Sequence, residues 1–132
     1  MDPHIANIAS ITAQNTDFRR VMFTGAKSQL VVMDIKSGEE VGEETHDHVE
    51  QTLFIVSGEA SSTLDGKERR VTTGDVIVVP PGTQHNFVNS GQESLKLYTV
   101  YAPPNHIDGR VHKTMADAVA DSEDEKFGHS VR

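Results

Sequence analysis

The chain has no cysteine, which removes disulfides, thiol catalysis and thiolate metal sites together. Long apolar runs are also missing. They reach only four residues, as in Val76-Ile77-Val78-Val79 before Pro80-Pro81, against the ~20 that a membrane-spanning helix needs. No membrane partner is expected. The opening MDPHIANIAS has no basic stretch ahead of an apolar one, so no secretory signal is visible, and a cytoplasmic location is expected. Basic residues are in deficit, 12 Lys and Arg against 20 Asp and Glu for a net charge of -8. That average field repels a phosphate backbone and makes nucleic acid a poor candidate partner. No helix-turn-helix pattern and no dinucleotide fingerprint occurs, and Gly66-Lys67 lacks the rest of a phosphate loop.

What is there is enough for one domain. The 132 residues are 36% hydrophobic and 24% charged, which supports a packed core. Ile5, Ile8 and Ile11 have helical spacing and predict a helical segment within residues 1–17. Residues 18–102 form short β-rich runs, cut by Lys36-Ser37-Gly38, Ser57-Gly58, Asp65-Gly66, Thr73-Gly74, Pro80-Pro81-Gly82 and Asn89-Ser90-Gly91. This rhythm predicts an all-β antiparallel sandwich or barrel of ~nine or ten strands. Asp65-Gly66 is the strongest hairpin signal. Pro103-Pro104 ends the last strand. Residues 103–132 then read as a loop, a short helix over 113–120 with Thr114 as cap, and a polar tail from 121 that is expected to fray. Phe54, Val56, Phe87 and Val100 are expected in the core. His4, His112 and His129, with Asp117, Asp121, Glu123, Asp124 and Glu125, are expected in solvent, and His106 in the loop PPNHIDG away from the barrel mouth.

Two glycine-framed segments carry the chemistry. Residues 38–58 read GEEVGEETHDHVEQTLFIVSG and residues 74–89 read GDVIVVPPGTQHNFVN. On a strand, Glu44, His46 and His48 share one face, as do Gln51, Leu53 and Ile55. His85 begins a run just after the Pro-Pro-Gly turn. Imidazoles and a carboxylate on the inner face of a small barrel suit a first-row divalent ion held by nitrogen and oxygen. His48 is a candidate base at the barrel mouth. Tyr98 and Tyr101 fall on opposite faces of one strand, so one of them looks inward, where it could bind substrate or donate a proton.

Both segments resemble the two motifs of the cupin superfamily. Gly38, five residues, Glu44, one, His46, four, Gln51, six and Gly58 reproduce the first motif's spacing. Glu44 stands where the first His is usual and Gln51 where Glu is usual. Gly74, Pro80, Gly82, His85 and Asn89 match every fixed position of the second. A second register pairs His46 with His48, but it puts Gly42 three residues ahead of His46 instead of five. The chain is most similar to small single-domain bacterial cupins, some of them mannose-6-phosphate-isomerase-like. The resemblance implies a double-stranded β-helix, a jelly-roll barrel with short helical segments at both ends. It implies Glu44, His46, Gln51 and His85 as ligands of Fe, Ni, Mn or Zn, and a homodimer. It also implies a metalloenzyme, dioxygenase- or isomerase-like, acting on a small polar molecule such as a sugar or enediol. The alternative is a non-catalytic module that binds or senses a small molecule such as a sugar.

Overall fold

Leu95, Leu97, Thr99 and Tyr101 are buried, while the residues between them are only partly so. That period of two is what a strand with one face on a core requires. The same alternation recurs along the chain and sets the architecture of the computed structural model, which describes residues 1–131.

The elements run α1 (Ile8–Gln14), β1 (Arg19–Thr24), β2 (Gln29–Ile35), β3 (Glu44–Thr45), β4 (Glu50–Ser57), β5 (Glu59–Leu64), β6 (Lys67–Thr72), β7 (Val76–Val79), β8 (Gln84–Val88), β9 (Leu95–Ala102), β10 (Val111–His112), α2 (Met115–Ala120) and α3 (Ser122–Val131). Strands β10-β1-β2-β9-β4-β7 form one sheet and β3-β8-β5-β6 the other, and every pairing is antiparallel. The two sheets close on a core that includes Val31, Met33, Leu53, Phe87 and Leu97. This is the jelly-roll expected from the sequence. Among the described residues, no helix is long and apolar enough to cross a membrane.

Two turns show why the glycines fall where they do. Asp65 and Gly66 both have positive φ, 50° and 79°, at the tip where Leu64 pairs with Lys67, the conformation a two-residue hairpin needs. At Gly58 (φ 96°) a Cβ would sit 2.7 Å from the Ser94 carbonyl oxygen, so only glycine lets β4 pass so close. Asn89, the last residue of the second motif, is buried. It donates to the Ile35 and Glu93 carbonyls and accepts from Gly91 N–H, so its role is to tie loops together.

Four expectations are corrected. The first helix starts at Ile8, capped by Asn7, and leaves Ile5 exposed. Phe54, Val56 and Val100 lie half-buried on the outer face of the large sheet, where α1 packs over β9 and β4; alternation gave the inner face to their neighbours. His112 is buried, and so is Asp124. The tail, expected to fray, is helical from Ser122 to Val131, with Asp121 and Asp124 bonded back to the loop and β10; Arg132 lies outside the described residues.

Candidate active site

Glu44 on β3 and His85 on β8 are direct partners across the strand pair, so their side chains share a face. The strand stops after Thr45, where Gly82 N–H donates to the His46 carbonyl at 2.7 Å. His46 is buried, with Nε2 at 2.9 Å from Glu44 Oε2 and its ring 5.2 Å from that of His85. His85 is buried too, and its Nδ1 lies 2.9 Å from the Thr83 carbonyl oxygen. A carbonyl only accepts, so Nδ1 carries the hydrogen and Nε2 keeps the lone pair.

The large sheet supplies the opposite wall. Gln51 on β4 pairs with Tyr101 on β9, and both are buried. Gln51 Nε2 donates to the Thr99 hydroxyl at 3.1 Å, and that hydroxyl donates to the Thr52 carbonyl. The amide nitrogen is thereby committed, and the amide oxygen is the atom left to serve as a donor to a ligand. Tyr101 sits edge-on to His46 at 6.4 Å. The structure therefore brings Glu44, His46 and His85 together, and Gln51 is buried on the other sheet beside Tyr101; among the described residues the His/Asp/Glu ligand atoms that already lie within 4.8 Å of one another are those of His112, Asp121 and Asp124. Two imidazoles, a carboxylate and an amide oxygen are donors that suit a first-row divalent ion, and one imidazole already has its tautomer fixed by an outer hydrogen bond.

Two candidates fall away from this cluster. His48 is exposed. The bend at Asp47-His48 breaks the strand, and Val49 turns into the core in its place. Tyr98 faces outward and stacks on Phe54 at 4.7 Å, so Tyr101 is the inward tyrosine.

Sequence reasoning missed three residues that the fold adds. His106, expected to stay away from the barrel mouth, is buried, edge-on to Tyr101 at 5.0 Å. Gln29 pins its backbone: its Oε1 accepts from the N–H groups of Asn105 and His106, and its Nε2 donates to the His106 carbonyl. Asp124 of α3 holds the ring, with Oδ2 at 2.7 Å from His106 Nδ1, and its Oδ1 accepts from Ile107 N–H. His106 Nε2 is buried with no hydrogen-bond partner among the described residues. Burial, and next the nearby Arg19 charge, push the His106 pKa below the usual imidazole value, against the pull of Asp124. Burial raises the Asp124 pKa, but its bonds to His106 and Ile107 and the Arg19 charge hold it below the usual carboxylate range. The pair is a neutral imidazole on an ionised carboxylate. A histidine in the loop between β9 and β10 was the only signal for it, since Asp124 looked like one charge in a solvated run.

A second cluster lies alongside. One ligand atom each from His112, Asp121 and Asp124 fall within 4.8 Å of one another. The carboxylate oxygens already have donors: Asp121 Oδ2 faces His112 Nε2 at 2.8 Å and Oδ1 accepts from Asp124 N–H. The Arg110 guanidinium stands 3.6 Å from Asp121 Oδ2. With a cation of its own and its oxygens committed, this cluster is a latch that fastens α3 to β10.

The chain is 44% identical over 125 residues to the uncharacterised protein YrkC of Bacillus subtilis, across 89% of this chain and 67% of that relative. The crystal structure of BH2720 from Bacillus halodurans superposes with a TM-score of 0.88 at 38% identity, covering 90% of this chain and 95% of the other. A predicted oxalate decarboxylase from Thermotoga maritima has a TM-score of 0.57 at 25% identity, over 59% of this chain and 69% of the other. The Cupin domain family model matches residues 31–101, a span that holds both glycine-framed segments and the four candidate ligands. The chain belongs to the cupin family.

Proposed function

We propose that this cupin is a metal-dependent enzyme that moves a proton on a small, oxygen-rich molecule such as a sugar or enediol, in the manner of an isomerase. The observation that carries this reading is the His106–Asp124 pair, a buried neutral imidazole with one nitrogen committed and the other unpartnered. Glu44, His46, Gln51 and His85 would hold the ion, iron, nickel, manganese or zinc, which when bound polarises a substrate oxygen.

The remaining work falls to the protein. Asp124 keeps the hydrogen on His106 Nδ1, so Nε2 is the atom that accepts a proton. As the imidazole becomes charged, the ionised Asp124 stabilises it, as a carboxylate behind a catalytic histidine does. Gln29 prevents the loop from swinging, which preserves the alignment on which proton transfer depends. Tyr101 packs edge-on against both His46 and His106 and holds the base at a fixed distance from the ligand cluster. Moving a proton between carbons depends on a positioned base throughout, which is why the isomerase-like reading is preferred.

The test is elemental analysis of untagged protein beside a His46→Ala/His85→Ala variant, with deuterium exchange into an aldose and ketose panel. Near-stoichiometric metal in the parent, lost in the variant, together with exchange that His106→Gln abolishes, supports the reading. A parent that neither carries nor takes up a divalent ion overturns it and leaves a small-molecule binding module. We also propose a homodimer through β7, an edge strand whose outward Val76 and Val78 are about half exposed, at 55% and 52%. Light scattering should give twice the chain mass, and Val78→Lys should yield a monomer.

A further inference from the structure

Among the described residues, Arg19 is the buried arginine that the barrel does not explain. It points inward from β1, only 8% exposed, next to Val21 and Phe18 of the core. Its guanidinium lies over the Phe18 ring at 5.3 Å, a contact that supplies no counter-charge. Among the described residues, no hydrogen bond or salt bridge reaches the guanidinium and Nε is fully buried without a partner; the ionised Asp124 senses its charge only through space. A buried charge left in this state is costly, and proteins keep one where something supplies the missing partner.

The surroundings say what is missing. Arg19 lines a cavity of about 280 Å³ between the barrel and α2, and Glu44 lies on the same wall. Val41, Met115 and Val119 make the cavity partly apolar, and Glu125 stands at its edge. The space suits a small molecule. The planar fork of a guanidinium matches a carboxylate or a phosphate. The two acidic residues in the wall argue against a bare inorganic anion filling the cavity. They favour a molecule that presents one oxyanion to Arg19 and hydroxyl groups or carbon to the remainder. The overall charge of -8 adds that such a ligand is recognised by local chemistry and not by attraction to the protein as a whole.

We infer that Arg19 is the anchor of an oxyanion subsite, and that the small molecule handled beside Glu44 carries a carboxylate or phosphate. The inference rests on the metal-site reading above for the position of the reacting end, and it adds the class of substrate. Arg19 holds the anionic end of the ligand in the cavity under α2. The other end of the ligand then extends toward Glu44 and His46.

The test is isothermal titration with succinate, glycerol 3-phosphate and uncharged glycerol, on metal-loaded and metal-free protein, for the parent, Arg19→Gln, Arg19→Lys and His46→Ala/His85→Ala. The expected result is that one of the two anions binds the parent, that glycerol does not, and that Arg19→Gln weakens the anion at least tenfold while metal content stays unchanged. Arg19→Lys keeps the charge and loses the fork, so it should bind several-fold more weakly than the parent; it serves as the measurement if the glutamine variant does not fold. Succinate against glycerol 3-phosphate decides between the carboxylate and the phosphate. In anion-free buffer Arg19→Gln should melt no lower than the parent, because it removes a buried charge that no hydrogen bond or salt bridge holds. The inference is overturned if neither anion binds the parent, if Arg19→Gln binds as the parent does, or if that variant melts well below it, which would make Arg19 a structural residue. Should the anion bind equally to the parent and to His46→Ala/His85→Ala while neither takes up metal, the subsite stands and the metal-enzyme reading falls.

Discussion

Asp121 and Asp124, three residues apart, each hold a buried histidine, and the surroundings of the two pairs differ. His112 and Asp121 meet at 2.8 Å, with Arg110 alongside and both carboxylate oxygens committed. His106 and Asp124 meet at 2.7 Å with the imidazole edge-on to Tyr101 and its backbone clamped by Gln29; among the described residues each histidine keeps one buried nitrogen without a hydrogen-bond partner, Nδ1 in His112 and Nε2 in His106. The bond is the same in both. What differs is the distribution of the remaining polar atoms. A pair placed among other charges is a fastener. The pair against the aromatic wall is the one we propose as the base, because burial disfavours its charged imidazole and Tyr101, which it touches, also touches His46.

That contrast can be broken at several points. The largest effect should come from Asp124, which serves both the base and the latch. Asp124→Ala strands His106 and the Ile107 N–H and should cost about 3 kcal/mol in urea unfolding, along with all proton exchange. His106→Gln should lower exchange by about 10²- to 10⁴-fold while metal content and Tm change little; an equal fall in Tm would make it a second fastener. Asp121→Asn should cost about 1 kcal/mol of stability and leave exchange per folded molecule intact.

Acid provides the next comparison. The folded His106 pKa lies below the 6.5 of a free imidazole, so the unfolded chain binds more protons in that window, and stability rises with pH up to about 6.5. Asp121 and Asp124 are both held below 3.8, so their contribution is present above that value and is lost as pH falls through the folded pKa values. Acid unfolding should therefore come in two stages, and His106→Gln should erase only the one nearer neutrality. The smallest effect is expected at His48. His48→Ala should leave metal content and exchange within about twofold, as surface substitutions do; loss of metal would restore the alternative register.

The parts of the molecule legible in the sequence are those with local spacing. The glycines of the two segments place Glu44, His46, Gln51 and His85 because each motif spans a strand and its turn. Asp65-Gly66 announces its own hairpin through the φ values it tolerates. His48 misled because alternation holds only while the strand continues, and the bend after His46 ends it. His106, Gln29, Asp124 and Arg19 were out of reach for a different reason. Gln29 and His106 are 77 positions apart, and nothing in a glutamine's neighbours announces that its amide will clamp a distant loop. Asp124 is indistinguishable by composition from the acidic residues around it.

Since α3 supplies Asp124 to the centre of the molecule, how the protein is handled at the bench has consequences. An affinity tag fused after residue 132 would load the helix that orients His106, and a polyhistidine sequence there would add competing imidazoles. Met1 and Ile5 are exposed, at 86% and 96%, and far from any of these bonds in the chain. Purification handles, immobilisation linkers and fluorophores therefore belong on the amino-terminal side.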